Sequence, residues 1–279
     1  MNGLYNLKEL SISKPLLFEG ISVHSGKKSK VTLYPSEPKS GINFYKNNIH
    51  IPLDIKFIDS NLSLSTKISK DNTSIGTIEH LLSAIYSLGI SNLKILVEGD
   101  EIPILDGSSK LFVEIILPNI IEQESERSFF ELKEIVSYKN KDKYIIAIPS
   151  EKLEVYYFLD YEKNPPAFTY ELFTYSQENY IKNISKARTF GFLSDAEYLH
   201  KNNLALGANF DNTLIITNTG YSSELRYKNE IAKHKVLDLL GDMSFLQKSL
   251  KAKIIAYKTG HFEHLQLITK FFLSKAYNI

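Results

Sequence analysis

The stretch from Arg226 to Met243, Arg-Tyr-Lys-Asn-Glu-Ile-Ala-Lys-His-Lys-Val-Leu-Asp-Leu-Leu-Gly-Asp-Met, reads as a helix with two opposed faces. At 100° per residue, His234, Asp238 and Asp242 fall within roughly 80° of one another, while Val236, Leu239, Leu240 and Met243 gather on the other side. One stripe packs and the other looks at something polar. Two settings suit the polar stripe. It is either the solvated side of an amphipathic helix or a set of ligands, because an imidazole and a carboxylate four residues apart can reach one cation together. The rest of the chain has to decide between them.

Composition narrows the second setting. There is no cysteine, so disulfides are excluded and any metal site must be built from His, Asp or Glu. Lys and Arg number 33 against 32 Asp and Glu, a formal net charge of +1, which gives no broad electrostatic case for nucleic acid or an anionic membrane surface. The N-terminus lacks a basic start followed by an apolar segment, and no apolar run approaches membrane-spanning length. A cytoplasmic protein without stable membrane insertion is expected, with a monomer as the expected state. At 279 residues and 43% hydrophobic content, one large or two modest domains with ample cores fit the chain.

Periodicity divides it in two. A hairpin is predicted from Ile12–Phe18 through the turn His24-Ser-Gly-Lys-Lys28 to Val31–Tyr34, followed by short strands at 42–45, 49–58 and 62–68. Thr77 to Leu88 then reads as a helix with a threonine N-cap, stopped by Gly89, and carries Glu79 and His80 in its first turn. A strand at 93–97, the loop Glu101–Ser109 and a helix at 110–117 complete the first half. The proline and charge cluster of 118–127 marks a boundary, giving domains 1–125 and 126–279. The second half opens with strands at 130–138, 144–148 and 153–159, read as an antiparallel sheet. A strand at 167–173, a helix at 176–184 and a strand at 214–217 follow, then the His234 helix, a strand at 253–257 and a closing helix to about Lys275. Both halves run sheet, helix with a histidine near its start, strand, glycine-bearing loop, helix. A duplicated α+β unit, each a sheet packed on helices, is the inference.

Three of the seven histidines, His80, His234 and His261, sit at junctions between a loop or strand and a helix. His50 and His200 lie in polar, loop-like surroundings, and His264 is read as facing away from His261. A mononuclear catalytic zinc needs three protein ligands and an open position for water, which His80, His234 and Asp238 would supply. Glu79, beside a ligand, suits a carboxylate base acting on that water. A helix N-terminus disfavours the imidazolium of His261 unless an anion compensates, and Asp242 is the candidate.

These residues also carry a family resemblance. Thr-Ile-Glu-His at 77–80, Glu-Ile-Pro-Ile-Leu-Asp-Gly-Ser-Ser at 101–109, Ala-Arg-Thr-Phe-Gly-Phe at 187–192, His-Lys-Val-Leu-Asp-Leu-Leu-Gly-Asp at 234–242 and Gly-His at 260–261 resemble the zinc-dependent UDP-3-O-acyl-N-acetylglucosamine deacetylases of lipid A synthesis. The likeness spans nearly the whole chain from Gly20-Ile-Ser-Val-His-Ser-Gly26 onward. It implies two similarly folded α+β domains with the active site between them. By motif position it makes His80, His234 and Asp238 the Zn2+ ligands, Glu79 the general base, and His261, oriented by Asp242, the general acid. Thr189 would sit against the oxyanion formed from the acetamide carbonyl, and Lys235 would meet substrate charge or oxygen. Residues near 190–217 resemble an insert that forms an apolar passage for an acyl chain, with Phe190 and Phe192 at its mouth. The Val-His-Ser-Gly loop would bring His24 near the site.

One departure is visible. Many relatives carry two glycines where this chain has Gly207-Ala208, and the extra methyl bears on a close backbone approach to the nucleotide. No fused dehydratase domain is expected. The implied reaction removes the N-acetyl group of a UDP-linked, 3-O-acylated glucosamine. The rivals are a metal amidase for another N-acyl sugar and a non-catalytic nucleotide-sugar or acyl-chain binder.

Overall fold

A computed structural model describes residues 3–59, 64–161 and 168–273, and the backbone of 277–278. Six helices are described: α1 (Glu79–Ser87), α2 (Lys110–Ile116), α3 (Gln177–Asn183), α4 (Ala196–Lys201), α5 (Glu230–Met243) and α6 (His261–Leu273). No helix among the described residues is long and apolar enough to cross a membrane.

The first half holds a five-stranded sheet in the order Leu16–Ile21, Lys28–Pro35, Leu93–Glu98, Ile42–Lys46, Ile49–Pro52. Its central strand, Leu93–Glu98, runs antiparallel to Lys28–Pro35 and parallel to Ile42–Lys46. The second half repeats this plan. There the central strand is Ser249–Tyr257, antiparallel to Lys143–Pro149 and parallel to Glu154–Asp160, with Val136–Asn140 and Phe168–Thr174 as the outer strands. In each half the strand that follows the histidine-bearing helix becomes the centre of its sheet, so the similarity read from the order of elements extends to strand direction. The fold is α+β, with sheets packed against helices.

Helices α1 and α5 pack face to face, and α5 also packs against the Glu154–Asp160 and Phe168–Thr174 strands of the second sheet. Every residue of α1 is buried, and in α5 only Lys233 and Lys235 are not. The solvated-stripe reading of α5 is therefore overturned: one face packs apolar side chains such as Val236, Leu239 and Leu240, and the other is enclosed as well. Gly241 permits the close approach. A Cβ there would lie 2.2 Å from the Glu79 carbonyl oxygen, so any side chain would force the two helices apart.

Several local expectations need correction. Thr77 does not cap α1: it has φ +54°, the cap position is Ile78, and the Thr77 hydroxyl donates instead to Glu101 Oε2 at 3.1 Å. The second sheet is mixed rather than antiparallel, since alternation of side chains reports burial and not strand direction. The segment expected at 130–138 is two strands, Phe129–Leu132 and Val136–Asn140. The boundary segment contains a strand, Ile120–Glu126, paired antiparallel with Lys8–Ile12. Residues 62 and 63 of the expected strand at 62–68, residue 167 of that at 167–173, and the end of the closing helix near 275 lie outside the described residues.

Candidate active site

Glu79 and His80 enter the site because α1 begins abruptly. The left-handed Thr77 turns the chain, Glu101 accepts its hydroxyl together with the amides of His24 and Ser25, and the Ser109 hydroxyl donates to the His80 carbonyl at 2.8 Å. This accounts for the Thr-Ile-Glu-His and Asp-Gly-Ser-Ser motifs as one clamp on the start of α1.

From α5, His234 donates Nδ1–H to the Ala187 carbonyl at 3.1 Å, which leaves its Nε2 lone pair directed away from that bond. His234 Nε2 lies 3.3 Å and His80 Nε2 3.8 Å from Asp238 Oδ1. The other carboxylate oxygen of Asp238, Oδ2, accepts from Lys235 Nζ at 2.7 Å. Asp238 Oδ1 is buried without a hydrogen-bond partner, and the ligand atoms of His80, His234 and Asp238 lie within 4.8 Å of one another. An orphaned, buried carboxylate oxygen facing two imidazole nitrogens fits a bound cation, so the cluster is compatible with a metal ion.

One turn further along α5, Asp242 meets the start of α6. Asp242 Oδ2 accepts from His261 Nδ1 at 2.9 Å and from His264 Nδ1 at 2.8 Å. His264 therefore does not face elsewhere. Residues three apart on a helix are neighbours, so both imidazoles reach one carboxylate, and this spacing was the signal available in the sequence. His264 Nε2 lies 3.0 Å from the Tyr157 hydroxyl. A second residue carried no such signal. Thr66, fully buried and in no motif, places its hydroxyl 2.5 Å from Asp242 Oδ1 and 2.9 Å from His261 Nδ1, while its amide donates to Glu79 Oε2 at 3.0 Å. His261 Nε2 lies 3.8 Å from Glu79 Oε1.

Burial and these neighbours set the protonation states. Burial pushes Glu79 up to about 8, with His261 opposing and Asp238 adding to the rise. Burial also depresses His80 to about 3, helped by His234. For His261 burial acts downward, but the Asp242 and Glu79 carboxylates outweigh it and hold the group up at about 9. For Asp238 and Asp242 burial acts upward and is overcome, by His234 and Lys235 in the first and by His261 in the second, so both stay ionised. For Lys235 burial acts downward and Asp238 more than reverses it. Separated shifts of this kind in one enclosed group are compatible with acid–base chemistry.

Arg188 and Glu230 anchor the loop beside this group. Both are buried, and Glu230 accepts from Arg188 N at 3.0 Å, Nε at 2.8 Å and Nη2 at 3.1 Å. The pair ties the Ala187–Thr189 segment to the first residue of α5, so the carbonyl that orients His234 cannot drift. Thr189 lines a cavity of about 610 Å3 with Glu79, His80 and His24.

The same cavity continues into the insert, where Phe190–Phe192 forms a short strand parallel to Leu214–Thr217, with α4 between them in sequence. Phe190, Phe192, Leu199 and Ile215 supply apolar wall, and Leu193 and Phe210 are exposed at its lining. His50 and His200 are both exposed, and His200 also lines the cavity. Ala208 lines it too, whereas Gly207 sits behind it: a Cβ at 207 would lie 2.2 Å from the Ser22 carbonyl oxygen, and its amide donates to Val23 O at 3.0 Å. Gly207 thus seals the insert against the 22–26 loop. Lys235 is held at Asp238 by the bond described above.

Two α+β units closing on a buried two-histidine, one-aspartate cluster, with Glu79 and His261 alongside and an apolar-walled cavity in front, fit a hydrolase class. The chain belongs to the LpxC family, UDP-3-O-acyl N-acetylglycosamine deacetylase, whose family model matches residues 9–273. It is 36% identical to the UDP-3-O-acyl-N-acetylglucosamine deacetylase of Coxiella burnetii, over 97% of this chain and 92% of that protein. Proteins of the same name from Wigglesworthia glossinidia brevipalpis, at 37% identity over 96% and 94% of the two chains, and from Nautilia profundicola, at 36% over 95% and 91%, are also similar.

Proposed function

We propose that the chain is a cytoplasmic, monomeric, zinc-dependent deacetylase that hydrolyses the N-acetyl group of UDP-3-O-(3-hydroxyacyl)-N-acetylglucosamine to the free amine and acetate, the committed step of lipid A biosynthesis. Family membership and the relatives' shared name support the reaction. The observation that carries the assignment to this site is the buried, unpartnered Asp238 Oδ1 facing two imidazoles, with Glu79 and His261 beside it. His80, His234 and Asp238 would hold zinc, which when bound supplies Lewis-acid polarisation of the acetamide carbonyl and activation of water.

The chain's own groups do the rest. Glu79 takes a proton from the attacking water through a carboxylate that burial has made basic. His261 holds a proton at Nε2 for the departing amine, its charge supported by Asp242. Thr189 bounds the space above the oxyanion, and the apolar wall from Phe190 to Ile215 excludes water and takes the acyl chain. Lys235 fixes Asp238 and offers its charge to substrate oxygen.

The test is acetate release from UDP-3-O-acyl-N-acetylglucosamine before chelation, after it, and after one equivalent of zinc is returned. Activity lost and regained is expected, together with a much weaker reaction on the substrate lacking the 3-O-acyl chain. A folded, zinc-loaded protein that releases no acetate sinks the assignment, and equal rates with and without the acyl chain would favour a different N-acyl sugar.

A further inference from the structure

Among the described residues, Thr66 alone touches the base, the imidazole and the carboxylate together. Its amide holds Glu79 Oε2, its carbonyl accepts from the Ile78 amide at 3.3 Å, and its hydroxyl sits between Asp242 Oδ1 and His261 Nδ1. A hydroxyl has a single proton to give. An ionised Asp242 has none, so the Thr66 proton goes to Asp242 Oδ1 and the hydroxyl lone pair is left facing His261. His261 Nδ1 must then carry its hydrogen, shared between Thr66 Oγ1 and Asp242 Oδ2 at 2.9 Å each. Proton exchange with substrate is thereby confined to Nε2, the nitrogen nearest Glu79 Oε1.

We propose that Thr66 is a positioning residue of the deacetylation reaction: its hydroxyl locks the His261 ring with Nε2 toward the substrate, and its amide turns Glu79 Oε1 to the same place. Asp242 alone does not accomplish this, because its Oδ2 is divided between His261 and His264, and without Thr66 its Oδ1 would be buried and unpaired. Thr66 comes from the first half and both histidines from the second, so the lock closes only when the two halves are docked.

The inference rests on the deacetylase reading, and the experiment separates the two. Thr66→Val keeps the shape and removes the hydroxyl; Thr66→Ser keeps the hydroxyl and removes the methyl. In zinc-loaded protein, Val should lower kcat about 10- to 100-fold with KM nearly unchanged and full metal content, and Ser should restore most of the rate. A Val variant as active as the parent, or a folded Ser variant as slow as Val, overturns the role of the hydroxyl. If Val does not fold, the 15N-histidine spectrum of the parent decides: His261 with hydrogen on Nδ1 supports the lock, and a bare Nδ1 overturns it. An inactive parent counts against the deacetylase reading, while the spectrum still tests Thr66.

Discussion

His80, His234 and Asp238 form one cluster along α5, and Asp242, His261 and His264 form another a turn away. Each has two imidazoles and one carboxylate, with ligand atoms within 4.8 Å of one another. They differ in what is left over. In the first, Asp238 Oδ1 is buried and unpartnered, and His80 borders the open cavity. In the second, both oxygens of Asp242 are taken, by Thr66, His261 and His264, and His264 is closed off by Tyr157. The comparison teaches that similar residue sets differ in the chemistry open to them according to whether neighbouring donors have already satisfied the carboxylate: a free oxygen is compatible with a cation, whereas a satisfied one is committed to its hydrogen bonds.

The largest effects should come from breaking the first cluster. His234→Ala removes a ligand and, on this account, loses both zinc and activity, whereas Glu79→Gln keeps zinc and lowers kcat by roughly 10²- to 10⁴-fold. Metal analysis beside acetate release separates the two, and zinc bound stoichiometrically by the His234→Ala protein would dissolve the distinction between the clusters. Gly241→Ala strikes both at once, since it drives a methyl into the Glu79 backbone. It should destabilise the protein by about 1–3 kcal/mol, measured by denaturant unfolding, and also depress activity. A variant as stable and active as the parent would show that α1 and α5 do not need their close contact.

The smallest expected effect concerns the second cluster. His264→Gln should leave zinc content intact and cost about 1–2 kcal/mol, because it disturbs the bonds to Asp242 and Tyr157. The cost should depend on pH. Burial lowers the pKa of His264 in the folded state below its ordinary value, even against Asp242, so the unfolded chain binds the proton first and this histidine's contribution to stability falls as pH drops below about 6.5. The gap between parent and variant therefore narrows in acid. A gap that widens there would mean that His264 is charged in the folded protein.

Much of this site was legible because helical spacing is a local property. His234, Asp238 and Asp242 recur every four residues, and Glu79 and His80 open a helix, so each set was legible from periodicity, while joining the two sets rested on the ligand requirements of a zinc site and on the family resemblance. The same logic, applied to His261 and His264, would have put both on one face. Thr66 was not legible, because it belongs to no repeat and its partners Asp242 and His261 lie 176 and 195 residues away. Strand direction was hidden for a related reason: Val155, Tyr157 and Leu159 alternate inward whichever way the neighbouring strand runs.

By itself, then, the sequence determined which side chains share a helix face and that the two halves follow one plan, since both rest on covalent geometry and a repeated order of elements. Only the tertiary structure decided that α5 would be enclosed on both faces, that Asp238 would keep an oxygen free while Asp242 would not, and that a threonine from the first half would meet a histidine from the second. Those outcomes depend on how two sheets press their helices together, and no local pattern encodes the distance between segments so far apart along the chain.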